Sequence, residues 1–219
     1  MIRITVEDVH ASAERLLRAV EKLNPDDLRA PSALPGWTRA DVVDHLTAAA
    51  HAYLRLLALA RGADRPPARP DGLRASLDRL LADAAAMPAD SWDTLVTALA
   101  GWQHPAWFVL HRCQRELETH HVDLDLDHTP ADWPADYVRW ALTDTVAGLA
   151  ARDFPLGRIT ATDLDLSWPV ATTTPDGPTV AAPGHALLGW LAGRTTLEAA
   201  TGPLPTPPPW PLPPTPGWG

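Results

Sequence analysis

Five stretches of this chain repeat apolar residues every three or four positions, the spacing that aligns them on one face of an α-helix. The first runs from Val6 to Leu23 through Val9, Ala13, Leu16, Leu17 and Val20, and Asn24-Pro25 ends it. The second starts at Thr38, which with Asp41 three residues on resembles a capping box. It reaches about Arg61, with Val42, Leu46, Ala49, Tyr53, Leu56, Leu57 and Ala60 on its inward stripe. A third spans about Leu73 to Ala86 and a fourth about Pro105 to Leu124. The fifth, Asp136 to Ala151, follows Pro134, a residue suited to the first turn of a helix. Helices with one apolar stripe each and short connections bury those stripes against one another, so an antiparallel bundle is expected.

Beyond Pro155 the period changes. Leu164, Leu166, Trp168 and Val170 alternate with polar or turn-forming residues, which predicts a half-buried strand. Pro175-Asp176-Gly177 has turn chemistry, and Thr179–Ala181 is expected to return as a second strand. His185 to Leu191 reads as a short helix stopped by Gly193. The last 17 residues hold nine of the 24 prolines and exclude helix or central strand; either a polyproline II tail pinned by Trp210 or disorder is expected. The chain is thus expected to comprise a helical bundle over residues 1–154 and a small α+β domain with its tail over 155–219.

Charge and composition narrow the function. Eighteen Lys+Arg against 27 Asp+Glu give a net charge of −9, which argues against nucleic acid or an anionic membrane as partner. No stretch approaches the roughly 18 consecutive apolar residues of a membrane span. The charged N-terminal segment does not read as a signal peptide, so a cytoplasmic protein is expected. With one cysteine, Cys113, there is no internal disulfide and no cysteine-based metal motif, so a transition-metal site must draw on His, Asp and Glu.

The densest group of such residues is RELETHHVDLDLDH, beginning at Arg115. At about 100° per residue, Ala106, Val109, Leu110, Cys113, Leu117 and Leu124 form an apolar arc about 100° wide. Glu116 and His120, about 40° apart, lie at or inside one edge of that arc. Glu118 projects the other way with His104, His111 and Arg115, and is expected on a solvated face. A carboxylate on a core-facing stripe needs a partner. His45 sits at the margin of the second helix's stripe, whereas Asp44 and His51 are expected to face solvent. Packed helices can bring His45, Glu116 and His120 together. Two imidazoles and a carboxylate with positions left open make the donor set of a catalytic zinc. A plain His45–Glu116 hydrogen bond without metal accounts for the same residues. His121 and Asp123 either orient a ligand or solvate the helix end. H-E-x-x-H is absent, which leaves a metalloprotease with little support.

Three segments, LPGWTRADVVDHL (Leu34–Leu46), RELETHHVDL (Arg115–Leu124) and LLGWLAGR (Leu187–Arg194), resemble in order the signature stretches of the mycothiol-dependent maleylpyruvate isomerase family. That family belongs to the DinB-like metal-dependent helical bundles. The resemblance implies a mainly α protein: a DinB-like antiparallel four-helix bundle followed by a small C-terminal α+β domain. It also implies a divalent metal, usually Zn2+, on His45, Glu116 and His120, with mycothiol as thiol cosubstrate and Arg194 contacting an anionic substrate or the thiol cofactor. Trp37 and Trp190, in the first and third segments, are expected as packing residues. Two features depart from the family: Ala49 stands where many relatives have Asn, and the part after Pro155 is short.

An open position on zinc can hold a thiol as thiolate near neutral pH. Cys113, inside an apolar arc, is a small buried hydrophobe rather than that thiol. A low-molecular-weight thiol is therefore expected, adding to an electrophilic small molecule whose carboxylate Arg194 would pair with. If the thiolate leaves again the reaction is cis–trans isomerisation, and if it stays the enzyme is an S-transferase. The expected protein is such an enzyme, as monomer or homodimer. The alternative, suggested by Ala49 and the tail, is a non-catalytic metal- or ligand-binding regulatory module. Metal-assisted hydrolysis also fits an open zinc site, although no residue stands out as its general base.

Overall fold

The structure is a computed structural model and describes residues 4–63, 67–171, 173, 176–197 and 203–212. Its internal contacts divide the chain into two compact units, one ending at His128 and the other beginning at Thr129. Among the described residues no helix is long and apolar enough to cross a membrane.

The first unit contains helices α1 (Val6–Val20), α2 (Pro25–Arg29), α3 (Arg39–Ala60), α4 (Leu73–Ala85) and α5 (Phe108–Asp123). Capping boxes start three of them: Thr5 with Asp8, Asn24 with Asp27, and the expected Thr38 with Asp41. Helix α1 stops at Val20, short of the expected Leu23, and Asn24-Pro25 opens α2, because Asn24 caps the backbone N–H groups while Pro25 takes the first turn, where no donor is needed. Between α4 and α5 the Trp-rich connection forms a hairpin of β1 (Leu95–Thr97) and β2 (Gln103–Pro105), strands too short to show an alternating pattern.

Helix α3 packs on α4 and α5, and α1 packs on α4 and α5, so α5 has partners on two sides. This overturns the solvated face expected for His104, His111, Arg115 and Glu118, all of which are buried. The arc counted only apolar residues, whereas the second face of α5 packs through polar pairs. Arg15 Nη2 of α1 donates to Glu118 Oε1 at 2.5 Å, and Gln114 Nε2 donates to Ser12 Oγ at 3.3 Å. A buried carboxylate with a guanidinium partner satisfies the cost of burial without being apolar. Asp44 is exposed as expected, but His51 is half-buried: its Nε2 lies 3.1 Å from the Pro70 carbonyl and 2.9 Å from Ser76 Oγ, tying the chain before α4 to α3.

The second unit contains α6 (Ala135–Ala150), β3 (Arg158–Ala161), β4 (Leu166–Pro169), β5 (Thr179–Ala182) and α7 (Gly184–Leu191). The sheet order is β4-β3-β5, with β4 antiparallel and β5 parallel to β3. Strand β4 falls where the alternation placed it, and β5 where the returning strand was expected after the turn. Strand β3 carries only two inward residues, Ile159 and Ala161, too few to stand out in the pattern. Helix α7 packs on α6, β3 and β5. At its start a Cβ on Gly184 would lie 2.6 Å from Leu164 Cδ1 and 3.0 Å from Val138 Cγ1, so any larger residue would have to push these core side chains aside. At its end Gly193, at φ +72°, provides the expected stop.

Of the tail, residues 203–212 are described, and exposure recurs at 203, 206 and 209, the period of a polyproline II strand lying along a surface. Trp210 pins it, Nε1 donating to Thr145 Oγ1 at 3.2 Å on α6. The remaining tail from 213 and Pro175 of the expected turn lie outside the described residues.

His104 makes burial testable. Its Nδ1–H donates to the Pro105 carbonyl at 2.8 Å, and its Nε2 accepts from Arg112 at 3.3 Å, which selects the neutral ring. Burial pushes its pKa down to about 4; the Pro105 hydrogen bond opposes the shift and the Arg112 charge adds to it. The unfolded chain binds that proton near the ordinary value of about 6.5. Stability is therefore full above about pH 6.5, falls as pH drops, and levels off below about 4, with a total loss of up to about 3 kcal/mol. Calorimetric melting of His104→Gln should show a flatter fall between those pH values than the parent; parallel curves would contradict it.

Candidate metal centre

The start of α3 is stitched to the end of α5. The Ala33 N–H donates to the Asp123 carbonyl at 2.9 Å, and Arg39 Nε donates to the Leu124 carbonyl at 2.7 Å. Two turns after its Thr38 cap, α3 therefore presents His45 opposite the last turns of α5, where Glu116 and His120 sit one turn apart.

The three side chains meet. His45 Nε2 lies 3.0 Å from Glu116 Oε2, and His120 Nε2 lies 3.2 Å from the same oxygen. The two imidazole centroids are 4.6 Å apart, edge to face. One donor atom from each residue falls within 4.8 Å of the other two. On its far side His120 is oriented by Asp123, whose Oδ2 is 2.8 Å from Nδ1. Asp123 thus orients a ring rather than solvating the helix end, while His121 stacks on His128 at 3.8 Å, away from the trio.

Burial opposes the charge on Glu116, but hydrogen bonds with His120 and His45 outweigh it and hold the carboxyl well below the usual range. Burial likewise works against a proton on His120. The bonds to Asp123 and then Glu116 prevail and raise its pKa to about 9. The pocket thus selects positive charge between two carboxylates, a place that a proton or a metal cation can take.

Nitrogen and carboxylate-oxygen donors that converge in this way suit a divalent cation such as Zn2+. The Asp123 contact leaves Nε2 of His120 as the nitrogen turned to the centre, the usual arrangement behind a metal-ligating histidine. Three protein donors leave room for an exogenous ligand. Cys113 does not supply one: it is buried, and burial pushes its thiol up, far from reactivity.

Arg194 belongs to the second unit, where its Nη1 donates to the Ala192 carbonyl. Trp190 is buried as expected of a packing residue, but Trp37 is 38% exposed and sets its ring edge-on to His45 at 5.7 Å between centroids. Tyr53 was legible only as part of the apolar stripe, yet its hydroxyl donates to Glu116 Oε1 at 3.4 Å. The available signal was a hydroxyl on that stripe two turns beyond His45.

Comparison with known proteins gives concordant matches. A family model described as the mycothiol maleylpyruvate isomerase N-terminal domain matches residues 9–125. No curated protein matches the chain. A crystal structure of the mycothiol-dependent maleylpyruvate isomerase superposes with a TM-score of 0.78 at 22% identity, over 96% of this chain and 100% of that one. A histidine-to-alanine mutant of that enzyme gives 0.79 at 21% identity over the same shares. The fold is therefore that of the solved maleylpyruvate isomerase: mainly α, with small sheets.

The carboxylate behind His120 is the most direct handle on the centre. In competition with a chromophoric chelator, Asp123→Asn should bind zinc about 10- to 100-fold more weakly than the parent, the usual cost of losing such a partner. Equal affinities would show that Asp123 does not serve a metal ligand.

Proposed function

Because the chain belongs to the mycothiol maleylpyruvate isomerase N-terminal domain family, we propose that it is a metal-dependent enzyme that activates mycothiol for addition to an electrophilic small molecule. The addition leads to cis–trans isomerisation of the maleylpyruvate isomerase type or to S-transfer. The observation that carries this reading is the convergence of His45, Glu116 and His120 within 4.8 Å in such a chain.

These three residues would hold the cation, with His45 Nε2, Glu116 Oε2 and His120 Nε2 as donors. A divalent cation there supplies the positive charge that keeps a thiol deprotonated near neutral pH. The protein's own groups prepare that place. Asp123 fixes the His120 ring, and Glu116 offsets part of the positive charge. Trp37 sets its ring edge to face against His45 and packs beside that side chain. Since Cys113 is sealed in the core, the thiol is brought in as a small molecule.

Addition of the thiolate to an alkene conjugated with a carbonyl forms a C–S bond and moves the π electrons onto the carbonyl oxygen as an enolate. The former double bond can then rotate. Collapse of the enolate re-forms the alkene and expels the thiolate, which gives the trans isomer with no net redox change. Protonation of the enolate carbon instead leaves the thioether. Arg194 is proposed to pair with an anionic group of the electrophile or thiol cosubstrate, with its planar guanidinium suited to a carboxylate.

The test is to incubate the zinc-loaded protein with mycothiol and a conjugated cis-enoic acid beside a His45→Ala control. Isomer with the thiol unconsumed identifies an isomerase, and thioether identifies a transferase. No turnover above the control across a panel of electrophiles would leave a non-catalytic module and overturn the proposal. Arg194→Gln should raise KM for a carboxylate-bearing electrophile about tenfold or more, on the scale of a lost charge-assisted pair, without changing metal content. An unchanged KM would remove Arg194 from the site.

A further inference from the structure

Glu116 uses its two oxygens differently. Oε2 faces both imidazoles, whereas Oε1 is approached from the other side by the Tyr53 hydroxyl at 3.4 Å. Tyr53 is 2% exposed, and its ring is held rather than loosely packed. The guanidinium of Arg112, one turn before Glu116 on α5, stands 5.1 Å from the Tyr53 ring centroid and 4.7 Å from that of Trp102. Arg112 is itself fixed, donating to Nε2 of the buried, neutral His104 at 3.3 Å. A chain of contacts therefore runs from His104 on β2 through Arg112 to Tyr53 and ends on the free oxygen of Glu116. Burial, and then the charge on Glu116, push the Tyr53 hydroxyl pKa well up, so it stays protonated and can only donate to that carboxylate.

We propose that Tyr53 is a positioning residue for the metal centre: its hydroxyl, with the ring clamped by Arg112, anchors Glu116 Oε1 so that Glu116 presents Oε2 alone to His45, His120 and the cation. The physical reason is rotational. A glutamate carboxylate turns easily about its last bond, and that torsion is broad. A donor on one oxygen selects a single orientation and keeps the other oxygen on the shared point between the rings. Monodentate presentation keeps a coordination position open for an exogenous thiol, which a carboxylate engaging through both oxygens would occupy.

This inference rests on the metal-dependent reading above, and the test separates the two. Tyr53→Phe removes one hydroxyl and keeps the ring under Arg112, so the fold is retained and the melting temperature should stay within a few degrees. Two readouts are taken. In metal-free protein, the imidazole 15N shifts of His45 and His120 should move in Tyr53→Phe, because Glu116 is no longer held in one orientation. In cobalt-substituted protein, the visible d–d bands should weaken and shift as expected for a higher coordination number, and zinc affinity should fall about tenfold. Unchanged 15N shifts together with unchanged cobalt bands in a wild-type protein that does bind metal would overturn the role of Tyr53 and leave the metal reading intact. A wild-type protein that binds no divalent ion while Tyr53→Phe still moves the histidine shifts would overturn the metal reading and retain Tyr53 as the residue that orients Glu116. If it binds no ion and the shifts do not move, both fall.

Discussion

Glu116 Oε2 lies between two imidazole nitrogens, 3.0 Å from one and 3.2 Å from the other, and the surrounding contacts of the first unit hold it there. A largely buried carboxylate in that place requires positive charge beside it, whether a proton shared with a ring or a cation that takes its place. Asp123 adds a second carboxylate behind His120 and so deepens the preference for positive charge. The contacts Ala33 to Asp123 and Arg39 to Leu124, with the packing of α3 on α5, hold the register in which His45 faces His120. The Thr38 cap sets where α3 begins, and hence which turn of the helix carries His45 opposite Glu116.

The other face of α5 shows why this helix can carry so much charge. Glu118 meets Arg15, Gln114 meets Ser12, and the neighbouring His104 accepts from Arg112, so polar residues turned inward are paired across the interface. A helix covered on two sides is held more firmly than one with a solvated back, and the side chains it turns toward His45 are correspondingly fixed. Rigidity of this kind favours a site whose donors must stay in place while a substrate comes and goes.

Much of this was legible in the chain itself. The spacing of Leu16, Leu17, Leu46, Leu57 and Leu117 located the long helices, because a 3.6-residue period repeated over several turns has no other reading. The same projection placed His45, Glu116 and His120 on facing edges. Strand β3 and the β1–β2 hairpin were not legible, since three or four residues contain too few alternations to announce a strand. The burial of His104, His111 and Glu118 was hidden for a different reason: polar residues matched across a helix interface look like a solvated face when read one helix at a time. Arg15 and Glu118 are 103 positions apart, and nothing local links them. Tyr53 was seen only as a core residue because its ring fits the stripe and its hydroxyl leaves no periodic trace.

At the heart of the proposed function is a cation held by two imidazoles and one carboxylate, with a position left for a thiol. X-ray absorption at the zinc edge tests it most directly, on protein loaded with zinc, before and after mycothiol is added. The predicted spectrum shows nitrogen and oxygen neighbours at about 2.0–2.2 Å with imidazole scattering, then a sulfur neighbour at about 2.3 Å once the thiol is present. A shell without imidazole, or one that the thiol leaves unchanged, would contradict it.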